Sequence, residues 1–287
     1  MTGITARLKR SKYRRELLNK FLAHAVLWII AGTIGAPFFW LVTTSLKSFR
    51  EIFVFPPVWF PETLRWENYV KAWQAAPFGQ FYVNSVIVSV VGVGLSLACC
   101  VLAAYALACI PTRWNQLVFV VFLSTMMIPQ EASILPNYRV ISKLRWIDSY
   151  LGLIVPSIAS GFGIFLMRQS FLQTPIDLLD AAKLDGAGHL LTLRHVVLPL
   201  SRPIMITFGL FSFLWKWNAY LWPLIVTNSE RMRTLPIGLA MLRVQEGMTE
   251  WNVLMAGTVF VLMPVIIVFI FAQRYIIEGV AHTGLKG

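Results

Sequence analysis

The sequence predicts an all-α integral membrane protein with six transmembrane helices and a two-helix cytoplasmic loop. Three observations predict it. Of 287 residues, 57% are hydrophobic and only 13% charged, whereas a soluble domain averages about 45–50% apolar and roughly 25% charged. The apolar residues gather in continuous runs of about 20, the length that crosses a bilayer as a helix. The basic residues sit mainly in the gaps between those runs. So few polar groups could not coat a water-soluble globule of this size, and the apolar content excludes disorder.

The segments follow in order. The first covers about 21–46, carries Pro37 and follows a basic tail, residues 1–20. Its run is too long for a signal peptide, with no clear small-residue cleavage site after it, and reads as a retained helix. The second covers 82–110 and stops at Pro111. The third, 117–136, is interrupted by Pro129. The fourth, 149–167, is rich in Gly and Ser; the fifth covers 204–226 and the sixth 253–272. Continuous rather than alternating runs make these helices, not barrel strands. Residues 21–287 are thus read as one membrane domain. Gly92, Ser96 and Cys100, four apart, predict close helix contact, because small residues let backbones approach in lipid.

Orientation follows from Lys and Arg in the loops. With the N-terminus inside, the inner segments hold fourteen bases and the outer ones ten. The tail residues Arg7, Lys9, Arg10, Lys12, Arg14, Arg15 and Lys20 supply half of the inner bases. Six helices then put both termini in the cytoplasm. The net charge of +12 is spread over these flanks, so nucleic acid is not the expected partner; the lipid bilayer is. Cys99, Cys100 and Cys109 lie in one apolar run without metal or disulfide spacing, and the four histidines form no metal motif. No GxxxxGK[ST] phosphate loop occurs, and no catalytic constellation is apparent. The chain is expected to bind no cofactor and to catalyse no reaction by itself.

The inner loop 169–203 is long for a compact connection, and long loops tend to carry function. Thr174 reads as an N-cap, Pro175 as the first helical residue and Gly186 as the C-terminal stop. A second short helix is expected over His189–Val197, ending before Pro199. The first helix presents Ile176, Leu179, Ala182 and Lys183 at helical spacing, which suits a helix laid into a partner's groove. The competing reading is an interfacial helix on headgroups, but those usually carry a basic polar face, and here Asp balances Lys and Arg.

The segment DAAKLDGAGHLLTLRHVVLPLSRP resembles the EAA loop of ABC-importer permeases. Asp180, Ala181, Ala182, Gly186, Leu198, Pro199 and Pro203 match that pattern, with Asp180 standing where the family has Glu. WNAYLWPL (217–224), MIPQEASILPNY (127–138), TLPIGL (234–239), WENYVKAW (66–73) and QRYIIEGVAHTGLKG (273–287) resemble the carbohydrate-uptake branch, the second permease of maltose-type systems. EGMTEWN (246–252) resembles glycerol-phosphate members. The resemblance implies a permease in a bacterial or archaeal cytoplasmic (inner) membrane that imports a sugar or sugar-like solute. It implies a sister permease as heterodimer partner, two ATPase subunits that use ATP and Mg, and an extracytoplasmic solute-binding protein. Asp180, Ala181, Ala182, Leu184, Asp185, Gly186 and Ala187 would form the coupling helix that docks on the ATPase.

In the fifth segment Trp217, Asn218 and Tyr220 pair ring faces with polar tips and are candidate solute contacts; helix packing and interfacial anchoring are the alternatives. Lys216 is an intramembrane charge, costing at least about 2.5–3.5 kcal/mol on insertion scales. It is expected to line the solute path or to pair with Glu131 beyond Pro129; a packed ion pair with no solute contact is the alternative. Residues 45–80, with Trp59, Trp66 and Trp73, could receive a binding protein or anchor at the interface. The resemblance also implies that the C-terminal tail, residues 275–287 with Glu278 and Lys286, touches the ATPase; a frayed terminus is the alternative. A secondary transporter or a non-transporting scaffold would fit the helix count but would need no ATPase.

Overall fold

The computed structural model describes the backbone of residues 2–243 and 249–284 and the side chains of 16–243 and 249–274. The bases Arg7 to Arg15, and Glu278 and Lys286, therefore lie outside the described side chains, as does Glu246. All regular structure among the described residues is helical.

Helix α1, Thr2–Ser45, runs unbroken through the basic tail and through Pro37. Almost none of its apolar stretch is buried: Phe21, Trp28 and Ile29 are all largely exposed. A short α2, Phe49–Ile52, and α3, Glu67–Gln74, follow. Helix α4, Phe78–Cys109, which buries one face, ends before Pro111 as its sequence dictates.

The third expected span is two helices, α5, Asn115–Thr125, and α6, Gln130–Lys143, meeting at 99° around Pro129. The fourth is α7, Tyr150–Ile154, continued by a 3-10 turn, Val155–Ser157, then α8, Gly161–Phe171, bent by 48°. The break falls between Pro156 and the Ser160 hydroxyl, which accepts from the Gly163 N–H and starts α8 afresh.

The loop after it contains α9, Ile176–Leu184, and α10, His189–Thr192. A π-turn, Leu193–Val197, then leads into α11, Leu198–Leu200. The helical path therefore does not stop before Pro199 as expected, because Pro199 occupies the first turn of α11, where no N–H is needed. An 82° bend at Ser201 then starts α12, Arg202–Trp217. The fifth segment is not continuous either. After residues 218–220 a separate α13, Leu221–Val226, begins, since Pro223 lacks the N–H that would bond residue 219. Helix α14, Leu235–Met241, and α15, Trp251–Gly284, complete the chain.

Among the described residues three helices are long and apolar enough to cross a membrane, and up to six spans result if each bent pair is one. The chain divides into two compact units, residues 1–72 with 248–259 and residues 73–247 with 260–287.

In the first unit Asn68 joins the end of α1 to α3. Its amide donates to the carbonyls of Ser45 and Lys47, both at 2.9 Å, and its oxygen accepts from Asn252 at 2.9 Å. Fully buried Lys47 donates to the Val58 carbonyl at 2.5 Å and lies over the Trp40 ring. Burial pushes its pKa down, against the pull of the Glu51 charge. In the second unit α4 is the axis. Cys100, Ala104 and Tyr105 on α4 pack with Met167 and Phe171 of α8 and Phe208 of α12. The predicted small-residue stripe sits on this face: the Gly163 hydrogens approach Cys100 and Phe208 so closely that a Cβ would lie 2.6 Å from each.

Candidate functional site

Two features of the second unit bear on the sequence expectations: the helix pair within residues 169–203 and a cavity. In the loop, α9 is closed by a full Schellman cap. The Ala187 N–H donates to the Ala182 carbonyl at 2.9 Å and the Gly186 N–H to Lys183 at 3.0 Å, with Gly186 at φ +78°. Glycine is required here because other residues reach this conformation only with strain. The N-terminal cap differs from the expectation. Pro175 itself is the cap residue, and the Thr174 hydroxyl is buried without a partner instead of closing the first turn.

The face of α9 also differs. Leu179 turns inward and packs on the α4–α8 core, and Ala182 is half-buried, so neither belongs to the outward surface. What α9 and α10 expose is Ile176, Leu184 (90% accessible), Leu190 and Leu191. Asp180 and Lys183 pair across one turn at 2.9 Å, both solvated. Ala181, Asp185 and Gly186 are exposed and Ala187 half-buried. The π-turn that follows rests on the core through Leu193 and Val197.

The cavity, about 940 Å³, lies where the three broken spans meet. Its wall is supplied by the start of α6 (Gln130, Glu131, Asn137), the α7–α8 break (Ser157, Ser160) and the α12–α13 break (Asn218, Tyr220). Helix breaks supply it because a bent span frees backbone polar groups, which lipid cannot satisfy and a cavity can. Lys216 also lines it, 9% exposed. Its ammonium donates to the Ser157 carbonyl at 2.9 Å and to the Ser157 hydroxyl at 2.7 Å, not to Glu131, although both residues face the same space. The Ser157 hydroxyl donates its own hydrogen bond to the Ile154 carbonyl at 3.0 Å, and Ser96 of the small-residue stripe donates to the Ser157 carbonyl at 3.2 Å.

Of the five path residues expected from the sequence, Lys216, Glu131, Asn218 and Tyr220 converge on the cavity. Trp217 does not. It is 1% exposed, stacks on Phe213, meets Tyr82 edge-on and donates its indole N–H to the Val261 carbonyl at 2.9 Å. It is a helix-packing residue, because adjacent positions on a helix point about 100° apart and Lys216 takes the cavity side. The Asn218 amide donates to the Leu214 carbonyl at 2.8 Å and so closes α12. Sequence reasoning missed Ser157, Asn137 and Trp215; the available signal was polar residues beside prolines, in VPS and LPN, within apolar runs.

Comparison with known proteins supplies the family. The model for "Binding-protein-dependent transport system inner membrane component" matches residues 94–282. The arabinooligosaccharides transport system permease protein AraQ of Bacillus subtilis is 33% identical over 283 residues, 96% of this chain and 97% of its own. Its counterpart in Halalkalibacterium halodurans is 36% identical over 228 residues, 79% and 81%. The sn-glycerol-3-phosphate transport system permease protein UgpE of Yersinia pestis is 32% identical over 249 residues, 84% and 88%. A chain of a bacterial ABC transporter involved in the import of the acidic polysaccharide alginate has the same fold, with TM-score 0.81 and 24% identity over 92% of this chain and 98% of that one. A chain of the alginate transporter in complex with its pentasaccharide-bound periplasmic protein matches at TM-score 0.62 and 15% identity, over 93% and 96%. Relatives that match nearly end to end, and a family model across two thirds of the length, identify the chain as a member of the inner-membrane permease family of binding-protein-dependent ABC importers.

Proposed function

We propose that this chain is one of two unlike permeases in an importer of sugars or sugar-like solutes, and that its α9–α10 pair is the lever on which a partner ATPase acts. The single observation that carries the lever is the exposure of Leu184 and its apolar neighbours on a short helix held rigid by its cap. A helix of nine residues would not stay folded in water by itself. Here the Schellman cap and the Leu179 anchor hold it against the core, so a push on its outer face is passed to α12 across the 82° bend. The chain carries no phosphate loop, so a separate pair of ATPase subunits is expected to bind and hydrolyse ATP with Mg. Closing of that pair would shift the permease between inward- and outward-facing states as a rigid-body change.

The sugar class is supported by the AraQ relatives, named for arabinooligosaccharides, and the UgpE relative, named for sn-glycerol-3-phosphate. Rings and hydroxyl-binding groups in the cavity (Trp215, Tyr220, Trp222, Asn137, Asn218) suit such a solute. An extracytoplasmic binding protein would deliver it, and both termini would be cytoplasmic by the charge bias of the loops.

The test is made on the complex purified with its cognate partners and reconstituted in lipid. Leu184→Asp and Gly186→Pro should release the ATPase, or abolish solute-stimulated ATP hydrolysis, while leaving the permease folded by its thermal transition. Proline cannot adopt a positive φ, and Asp at position 184 charges the docking face. A wild-type chain that purifies without any ATPase, or variants that hydrolyse ATP like wild type, would remove the lever reading.

A further inference from the structure

Building on the reading of the cavity as the solute path, we propose that Lys216 and the start of α8 form a subsite for an anionic group of the solute, a carboxylate or a phosphate ester. We assign Gly92 the role of positioning that ammonium.

The argument starts with the amine. A buried ammonium is costly unless charge or several acceptors compensate it. Lys216 has three N–H donors, and two go to neutral oxygens of a single residue, Ser157. The two lone pairs of the Ser157 carbonyl are already taken by Lys216 and Ser96. Among the described residues no carboxylate pairs with this amine. The one acid lining the cavity, Glu131, is exposed and sits in the first turn of α6, where the helix amides offset its charge. The strongest compensation still open to Lys216 is an anion in the cavity.

A second element points the same way. Helix α8 is eleven residues long, and its first residues, at Ser160 and Phe162, line the same cavity. The Ser160 hydroxyl accepts only from Gly163. The first amides of α8 have no intrahelical acceptor and carry the positive end of the helix dipole. An ammonium and a helix N-terminus on one cavity wall make an anion subsite; a neutral sugar would use neither charge.

Gly92 explains how a lysine fits there. The Lys216 stem lies against the α4 backbone at Gly92, and a Cβ at that position would come 2.9 Å from Lys216 Cδ and 3.2 Å from Cε. The neighbour is a flexible stem rather than backbone, so Gly92→Ala should fold but displace the ammonium from Ser157. What the sequence presents as a helix-packing glycine is here a slot for a charged side chain.

The test uses the reconstituted complex with its binding protein and three probes: arabinotriose, a uronic-acid trisaccharide and sn-glycerol-3-phosphate. Wild type should take up at least one charged probe, and the two charged arms tell carboxylate from phosphate. Lys216→Gln should lower that uptake roughly 10- to 100-fold, the worth of one charge-assisted hydrogen bond. Arabinotriose uptake should fall far less, so that the ratio of charged to neutral uptake drops. Gly92→Ala should move charged-probe uptake in the same direction, and Lys216→Arg should restore part of it. Charged uptake that survives Lys216→Gln overturns the subsite. So does equal loss for all probes, which is the mark of a merely structural lysine. Uptake of arabinotriose alone, with intact coupling to ATP, overturns the subsite and leaves the permease reading standing. A chain that holds no ATPase sinks both.

Discussion

Asp148 shows how one side chain can hold two loops of an otherwise apolar chain. It has φ 59°, and its carboxylate accepts from the backbone N–H groups of Asn228 at 2.9 Å and Ser229 at 3.0 Å, while its own N–H donates to the Val226 carbonyl at 2.8 Å. Burial would raise its pKa; the Ser229 and Asn228 hydrogen bonds outweigh burial and hold it below the ordinary value. A carboxyl lowered in the folded state contributes stability above its unfolded pKa of about 3.9, and the contribution is lost as pH falls through the lower folded value. Asp148→Asn keeps a residue that tolerates positive φ but loses the charge. It should cost about 1 kcal/mol at neutral pH and flatten the acid limb of thermal stability below about pH 4. Melting curves of the two proteins from pH 7 to pH 3 check this, and parallel curves would show that the bond carries no charge-dependent stability. Glu51 is built on the same plan: burial opposes ionisation, but hydrogen bonds from Ser48 and from the Glu62 N–H, with the Arg65 charge nearby, keep its carboxyl low.

At the scale of elements, the second unit depends on how closely α8 and α12 approach α4. The tightest point is Gly163, where a Cβ would lie 2.6 Å from Cys100 Sγ and from two ring atoms of Phe208. Both side chains sit in the core, with Cys100 fully buried and Phe208 nearly so, and cannot yield as the flexible Lys216 stem at Gly92 could. Gly163→Ala should therefore cost about 1–3 kcal/mol as overpacking, read as a lower melting temperature of the solubilised complex. An unchanged transition would mean that α8 can slide along α4. Gly186→Ala would behave differently, because its Cβ meets nothing within 4 Å and only backbone strain remains. Elements also mark the limit of pattern reading. Pro129 announced the α5–α6 break, and Gly186 announced the end of α9. The break at residues 218–220 was legible only afterwards, since Pro223 acts four residues upstream of itself. The outward face of α9 was not legible, because Ile176 and Leu179 are equally apolar and only contact with the core separates them.

For the molecule as a whole, the cavity and the α9–α10 pair stand at two ends of one chain of contacts: α9 and its π-turn rest on the core, and α12 carries Lys216 from that core to the cavity. If ATP drives alternating access, the cavity wall should change sides. A cysteine placed at Asn137, which lines the cavity and is exposed, should react with an impermeant thiol reagent from one side of the membrane without nucleotide and from the other with ATP trapped. Cys99, which is exposed, would first be replaced. Labelling from one side in both states would contradict alternating access. Helix α1 belongs at this scale too, since most of its described apolar side chains are exposed within its own unit, as contact with lipid requires.

The sequence by itself determined the class, the membrane and the family. Long apolar runs have one stable solution in a bilayer, and the DAAKLDG segment with its glycine cap is a local pattern that needs no distant partner to be read. It also pointed to Lys216, because a charge in an apolar run must find compensation. Only the tertiary structure decided what that compensation is. Ser157 lies 59 residues from Lys216 and Gly92 lies farther still, and no periodicity connects them. Tertiary packing likewise kept Trp217 out of the cavity lining and turned Leu179 inward, since both outcomes depend on which neighbouring helix occupies the space beside each side chain.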